Sequence, residues 1–202
     1  MITGMPWTFF TTPWGSGRVF VSEGTLAGVE LPRLGQSPRS ESGLMPPKAA
    51  GEPLLRRDAD ALLLWAERLE AYFRGERLAF GLDEVPLKKL ASTAFRLHVY
   101  RSLLQVPPGE TVSYGELALL AGYPRAARAV GTAMATNPVP VVLPCHRVVL
   151  ADGRLGRYGE DPAWKELLLE HERTHVSQGS LAHAAGSPPG RLGEGLVSDG
   201  QG

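Results

Sequence analysis

The 202-residue sequence predicts an α/β chain of the α+β kind: a small N-terminal antiparallel β-sheet with a helix, then a mostly helical C-terminal domain carrying a helix-turn-helix. Three observations carry that prediction. Between Trp7 and Pro32, short runs rich in β-branched and aromatic residues alternate with glycine-containing turns. From Asp58 the apolar residues recur at helical spacing. Beyond residue 90, helical stretches are separated by the breaks Pro107-Pro108-Gly109 and Gly122-Tyr123-Pro124.

Thr8-Phe9-Phe10 and Arg18-Val19-Phe20-Val21 read as strands with Gly15-Ser16-Gly17 as the turn between them. Glu23-Gly24 is a second turn and Leu26 to Leu31 a further strand, so two or three antiparallel strands fit. Residues 33–53, rich in Pro, Gly and Ser, predict a flexible loop. Leu62, Trp65, Ala66, Leu69, Tyr72 and Phe73 share one helical face, with Asp58 as the cap and Gly75 as the stop. That helix is expected to pack on the sheet. Residues 81–92 carry Pro86 and little periodicity, which sets a boundary between an N-terminal domain (1–90) and a C-terminal one (91–176). There, Phe95, Val99, Leu103 and Leu104 line a helix that ends before Pro107. Ser113 with Glu116 forms a capping box opening a short helix through Leu120, and after a tight turn Arg125 to Thr136 is helical and rich in small residues. Two such helices, the second bearing arginines, make a helix-turn-helix pattern, although many helical hairpins bind nothing. Ser177 to Gly202 lacks a periodic apolar face and is expected to be a disordered tail.

Net charge is zero, so global electrostatics announce neither a nucleic-acid nor a membrane partner. Locally, Arg125, Arg128, Arg147, Arg154 and Arg157 stand against Glu116 and Asp152, a mild basic patch made wholly of arginine. One cysteine cannot form an intramolecular disulfide or a thiolate zinc site, and His175 and His183 lack partners at ligand spacing, so no metal is expected. The first residues show no charged segment followed by a long apolar one, and no apolar run reaches membrane-spanning length. The expected location is the cytoplasm, whose reducing conditions suit a reactive thiol.

The lone cysteine sits in Leu143-Pro144-Cys145-His146-Arg147-Val148-Val149, at a break between two short apolar runs. A solitary cysteine is commonly an inert buried residue. Here a histidine and an arginine adjoin it, and either would favour the thiolate that a nucleophile needs. A histidine working as a base needs an orienting acceptor. Glu166, Glu170 and Glu172 all lie in the helix-like stretch downstream, and spacing does not choose among them.

These residues belong to a larger pattern. Arg128-Ala129-Val130-Gly131-Thr132-Ala133-Met134-Ala135-Thr136-Asn137-Pro138, then Pro144-Cys145-His146-Arg147-Val148-Val149, then Gly156-Arg157-Tyr158-Gly159 and Lys165 to Glu172, resemble the alkylguanine-DNA alkyltransferases, the methylated-DNA–protein-cysteine methyltransferases. The likeness runs over roughly residues 69–173 and includes Tyr72-Phe73-Arg74-Gly75 and Pro108 to Ala118. It implies direct, stoichiometric transfer of a methyl or other alkyl group from guanine O6, with thymine O4 as a further candidate, to Cys145. The transfer needs no cofactor and irreversibly inactivates the protein. The implied partner is double-stranded DNA containing alkylated guanine, met by a monomer.

By that resemblance His146 deprotonates Cys145 through a water, Glu172 orients His146, and Asn137 braces the turn leading to the cysteine. Tyr114 and Lys165 match positions that donate to the guanine. Met134, Val148, Tyr158 and Gly159 would line the alkyl and base pocket, where methionine and valine are otherwise simply core. The target base must be flipped out of the duplex, and Arg128 matches the family's intercalating arginine. Ala126, Ala127 and Thr132 let its helix lie close to the minor groove, with Arg125 beside them as a further DNA-binding candidate.

The sequence departs from the pattern in places. Glu160-Asp161-Pro162 follows Gly159 where a second glycine is usual, Ser92-Thr93-Ala94-Phe95 replaces a Gly-Thr opening, and the cysteines of a zinc site carried by some relatives are absent. Two other functions compete: a damage-sensing DNA-binding protein of the same fold, against which the presence of Cys145 argues, and a Cys-His-Glu hydrolase, which would turn over.

Overall fold

The computed structural model describes residues 4–35, 54–156, 158–159 and 161–185. The expected loop from residue 36 and the tail from residue 186 lie outside them. Strands β1 (Trp7–Thr12), β2 (Gly15–Ser22) and β3 (Thr25–Glu30) form an antiparallel sheet in that order. In β1 the period of two buries Thr8, Phe10 and Thr12 on one face. The first turn lies at Thr12 to Gly15, not at the expected Gly15-Ser16-Gly17, because the Thr12 hydroxyl organises it: Oγ1 donates to the Gly15 carbonyl (2.9 Å) and accepts from Trp14 N (3.1 Å). Gly17 is a strand residue opposite Phe10. A Cβ there would come within 2.3 Å of the Phe10 ring and 2.7 Å of the Glu30 carbonyl oxygen. Gly17→Ala is therefore expected to cost about 1–3 kcal/mol by overpacking, read as a lower melting temperature. An unchanged melting temperature would mean that both the Phe10 ring and the β3 backbone at Glu30 relax freely.

Helix α1 (Arg56–Phe73) buries Leu62, Trp65, Leu69 and Phe73, and Phe73 stacks on Phe10 with ring centroids 6.0 Å apart. It starts before Asp58, which is not its cap. Asp58 is buried in the first turn, and its Oδ1 accepts from Gly24 N (2.5 Å), so a bond to the β2–β3 turn claims the side chain. Gly75 ends the helix region as expected, with φ +77 and a Cβ position that would fall 1.8 Å from the His175 ring. A single turn, α2 (Leu87–Leu90), occupies the stretch expected to be irregular, with Leu87 buried behind Pro86.

Helix α3 (Ala94–Leu103) is capped by Thr93, whose Oγ1 accepts from Arg96 N (3.2 Å). Strand β4 (Val112–Ser113) leads into α4 (Tyr114–Leu120), where the Ser113–Glu116 capping box forms in both directions (3.1 and 2.7 Å). Helix α5 (Ala127–Ala135) begins after Arg125, not at it, because Arg125 adopts φ 72 in the turn. α4, the turn and α5 make the helix-turn-helix. After a 3₁₀ turn (Cys145–Arg147), β5 (Val148–Val149) runs parallel to β4 and pins the cysteine segment beside the start of α4.

Helix α6 (Ala163–Ala185) runs on past Ser177, where the tail was expected to begin, and Ser177 Oγ is absorbed by the helix, donating to the Arg173 carbonyl (2.8 Å). One buried apolar cluster extends from Phe10 and Trp65 through Leu103 and Leu143 to Leu168, so it crosses residue 90. Backbone and indole bonds stitch the same junction: Val29 N donates to the Pro138 carbonyl and Trp164 Nε1 to that of Pro32, both at 2.9 Å.

Candidate active site

The cysteine segment is held from the end of α5. Asn137, next after the α5 cap, accepts at Oδ1 from Val139 N (3.0 Å) and donates through Nδ2 to the Leu143 carbonyl (2.9 Å) and to Cys145 Sγ (3.0 Å). Within the turn so closed, buried Val141 has φ 73, a conformation that a β-branched residue adopts only under constraint from its surroundings. Cys145, His146 and Arg147 are all buried.

Glu172 is the hub behind them. It lies on the face of α6 that also buries Lys165, Leu168 and Leu169, whereas Glu166 and Glu170 are exposed. Its Oε1 accepts from His146 Nε2 (2.8 Å), Tyr72 hydroxyl (2.8 Å) and Arg147 Nη2 (2.7 Å). Oε2 accepts from Gly109 N (2.9 Å) and Arg147 Nε (3.0 Å). Burial alone would raise the Glu172 carboxyl, but the hydrogen bonds and charges of His146 and Arg147 override it and hold the group well below the usual carboxylate range. An ionised carboxylate only accepts, so His146 Nε2 carries a proton. Burial outweighs the attraction of Glu172 and keeps the imidazole below its ordinary value, hence neutral. The lone pair is then on Nδ1, which is buried and has no hydrogen-bond partner among the described residues.

Burial pushes the Cys145 thiol up, against the Asn137 hydrogen bond and the Lys165 charge, which pull it down. Lys165 is itself buried, which lowers its ammonium. Its Nζ donates to the Leu155 carbonyl and lies 5.7 Å from the Tyr114 ring centroid. Tyr114, half-buried at the start of α4, stays a phenol because burial raises it. Tyr158 is buried too, and burial followed by the neighbouring sulfur raises it well above its ordinary value. Met134 and Val148 are buried on α5 and β5, and Gly159 follows Tyr158 with φ 46. Asn137 thus touches the sulfur, Tyr114, Tyr158 and Lys165 couple to it electrostatically, and the His146–Glu172 pair begins at the next residue of the chain.

Arg147 departs from expectation. It was a candidate for favouring the thiolate directly and for the basic patch. Instead its buried guanidinium grips Glu172 and donates to the carbonyls of Val106 (2.6 Å) and Leu78 (2.7 Å), because only that arrangement satisfies a desolvated cation. Arg154 also leaves the patch as a free cation, pairing with Asp152 (2.7 Å); Arg157 lies outside the described residues. Arg125 and Arg128 remain exposed at the start of α5, beside exposed Thr132 and half-buried Ala126 and Ala127, while Val130, Ala133 and Met134 turn inward. Sequence reasoning missed the Tyr72 and Gly109 contacts to Glu172. The only signal for them was the presence of Tyr72-Phe73-Arg74-Gly75 and Pro108-Gly109 in the recognised pattern.

Comparison with known proteins follows the same residues. Residues 94–174 match the family described as 6-O-methylguanine DNA methyltransferase, DNA binding domain. The Mus musculus methylated-DNA–protein-cysteine methyltransferase is 40% identical over 189 residues, spanning 86% of this chain and 84% of the mouse one. That of Mycobacterium leprae is 45% identical over 109 residues, 54% of this chain and 64% of its own. Among solved structures, Mycobacterium tuberculosis OGT in complex with DNA superposes with a TM-score of 0.63 at 34% identity, covering 83% of this chain and 92% of that one. The O6-methylguanine-DNA methyltransferase of Pyrococcus kodakaraensis gives 0.56 at 27% identity, covering 82% and 97%.

Proposed function

Because this chain belongs to the methylated-DNA–protein-cysteine methyltransferases, we propose that it repairs duplex DNA by moving the alkyl group of an O6-alkylated guanine irreversibly onto Cys145. The observation that carries the assignment of residues is the buried thiol held by Asn137, next in the chain to a neutral imidazole whose Nε2 is locked to Glu172. His146 Nδ1 takes the thiol proton through a water as Sγ attacks the alkyl carbon. The carbon–oxygen bond breaks and its electron pair passes to the purine, where Tyr114 and Lys165 donate to the charge that develops. Met134, Val148, Tyr158 and Gly159 bound the pocket. Transfer requires neutral His146, so the rate falls as pH drops through the imidazole's titration.

Residues 91–176 carry the DNA-binding and acceptor functions in this reading, and residues 1–90 brace them. Arg128, with Ala126, Ala127, Thr132 and Arg125 around it, meets the duplex and fills the gap left by the flipped base. No described helix is long and apolar enough to cross a membrane. A reactive thiol without a disulfide partner suits the reducing cytoplasm.

The test is stoichiometry. A thioether at Cys145 has no leaving group that water can displace at a useful rate, whereas a hydrolase built on the same thiol would form a thioester and recycle. With excess methylated duplex, peptide mass mapping should find at most one methyl per chain, on Cys145, with activity lost in parallel. Cys145→Ala should bind the lesion and accept nothing. Multiple turnovers, or methylation elsewhere, would overturn the assignment.

A further inference from the structure

We infer that Tyr72 is a positioning residue of the relay, through which the N-terminal helix α1 sets the strength of His146 as a base; the inference rests on the relay proposed above. Tyr72 is separated from Glu172 by 100 positions in sequence, yet its hydroxyl donates to Oε1 at 2.8 Å, the same oxygen that receives His146 Nε2. Its placement is rigid. The side chain is fully buried, its ring lies 5.3 Å from that of His171, and its backbone carbonyl accepts from His171 Nε2 (2.9 Å), which clamps α1 to α6. A phenylalanine would fill the same volume. The hydroxyl is costly to bury unless it makes its bond, and Glu172 is the partner it has.

A donor on Oε1 draws off negative charge that the imidazole would otherwise feel. Removing it should leave Glu172 ionised, since Arg147 and Gly109 still hold the carboxylate, but with more charge facing Nε2. The His146 imidazolium is then better stabilised. The other charged or titratable neighbours are Arg147 on the 3₁₀ turn, Lys165 and His171 on α6, and Tyr158 and Cys145 at the sulfur. Tyr158 and Arg147 also feel Tyr72, and His171 lies against its ring, but only the shared Oε1 links Tyr72 to His146 by hydrogen bonds. Burial, then the charge of Glu172, raise the Tyr72 phenol well above its ordinary value, so it remains a donor throughout the range in which histidine titrates.

The experiment measures methyl transfer from free O6-methylguanine base against pH, using the full chain. It compares wild type, Tyr72→Phe, and a chain carrying 3-fluorotyrosine at position 72, whose more acidic phenol is a stronger donor. The acid limb of the Tyr72→Phe profile should move up by roughly half a pH unit, the scale of one charge-sharing hydrogen bond. Fluorotyrosine should move it down. A merely structural tyrosine predicts coincident limbs, and coincident or inverted shifts would overturn the inference. If Tyr72→Phe does not fold, the fluorotyrosine chain decides alone. A wild-type profile lacking an acid limb would defeat the relay itself, whereas a normal limb unmoved by either change defeats only the role of Tyr72.

Discussion

The Glu172→Gln variant is expected to lose both stability and transfer. Five donor atoms converge on this carboxylate: His146 Nε2, the Tyr72 hydroxyl, Gly109 N, and Nε and Nη2 of Arg147. A glutamine amide presents a donor to one of those two groups of donors whichever way it is turned, and it leaves the buried Arg147 guanidinium without a counter-charge. Breaking a buried pair in this way costs about 3–5 kcal/mol, which denaturant titration would resolve. His146 loses the anion that favours its protonated form and becomes a weaker base. The assisted reaction should fall by about a hundredfold or more. What remains depends on direct ionisation of a thiol that burial has raised, so the rate should climb only at high pH. A variant with wild-type stability and pH profile would show that Glu172 is neither hub nor orienter.

The same group gives the wild type an acid limit. Glu172 titrates lower in the folded chain than in the unfolded one, so its contribution is fully present above the unfolded value of about 4.3 and is lost as pH falls toward the folded one. His146, kept neutral by burial, has the same sign: below its unfolded value of about 6.5 the unfolded chain binds a proton that the folded chain refuses. Both contributions make acid destabilising, with nothing gained above neutrality.

The parts of the site that were legible in the sequence are those whose neighbours are local. Cys145 and His146 adjoin, and the Ser113–Glu116 box is spelled out within a few residues. Glu172 could not be chosen over Glu166 and Glu170 without the resemblance, because all three fit a helix and only the packing of α6 decides which face is buried. Arg147 was misread because an arginine's environment is tertiary: the carbonyls that capture it belong to Val106 and Leu78. Gly15-Ser16-Gly17 looked like a turn because glycine serves two purposes, and at Gly17 the purpose is to admit the Phe10 ring. Tyr72 stayed invisible as a partner of Glu172 because nothing in an apolar helical face marks which hydroxyl will meet an anion on another helix.

Arg128→Ala is expected to separate DNA handling from chemistry. Arg128 is exposed in the first turn of α5, and the outer face around it is Ala129, Thr132 and Ala135, small enough for the helix to approach a groove closely. The buried residues of that helix, Val130, Ala133 and Met134, are untouched by the substitution, so the pocket and the relay keep their geometry. Extruding a base costs a few kcal/mol, and losing the side chain proposed to occupy the vacated stack should return a good part of that cost to the barrier, about a hundredfold in rate. Free O6-methylguanine base needs no extrusion, so its reaction should change less than about twofold. Affinity for unmodified duplex should fall only modestly and keep a shallow salt dependence, since Arg147, buried on Glu172, has no part in releasing counterions from the duplex. Measuring single-turnover rates on duplex and on free base side by side decides the matter: equal losses on the two substrates would assign Arg128 to the pocket or to stability, and no loss on duplex would mean that another group fills the stack.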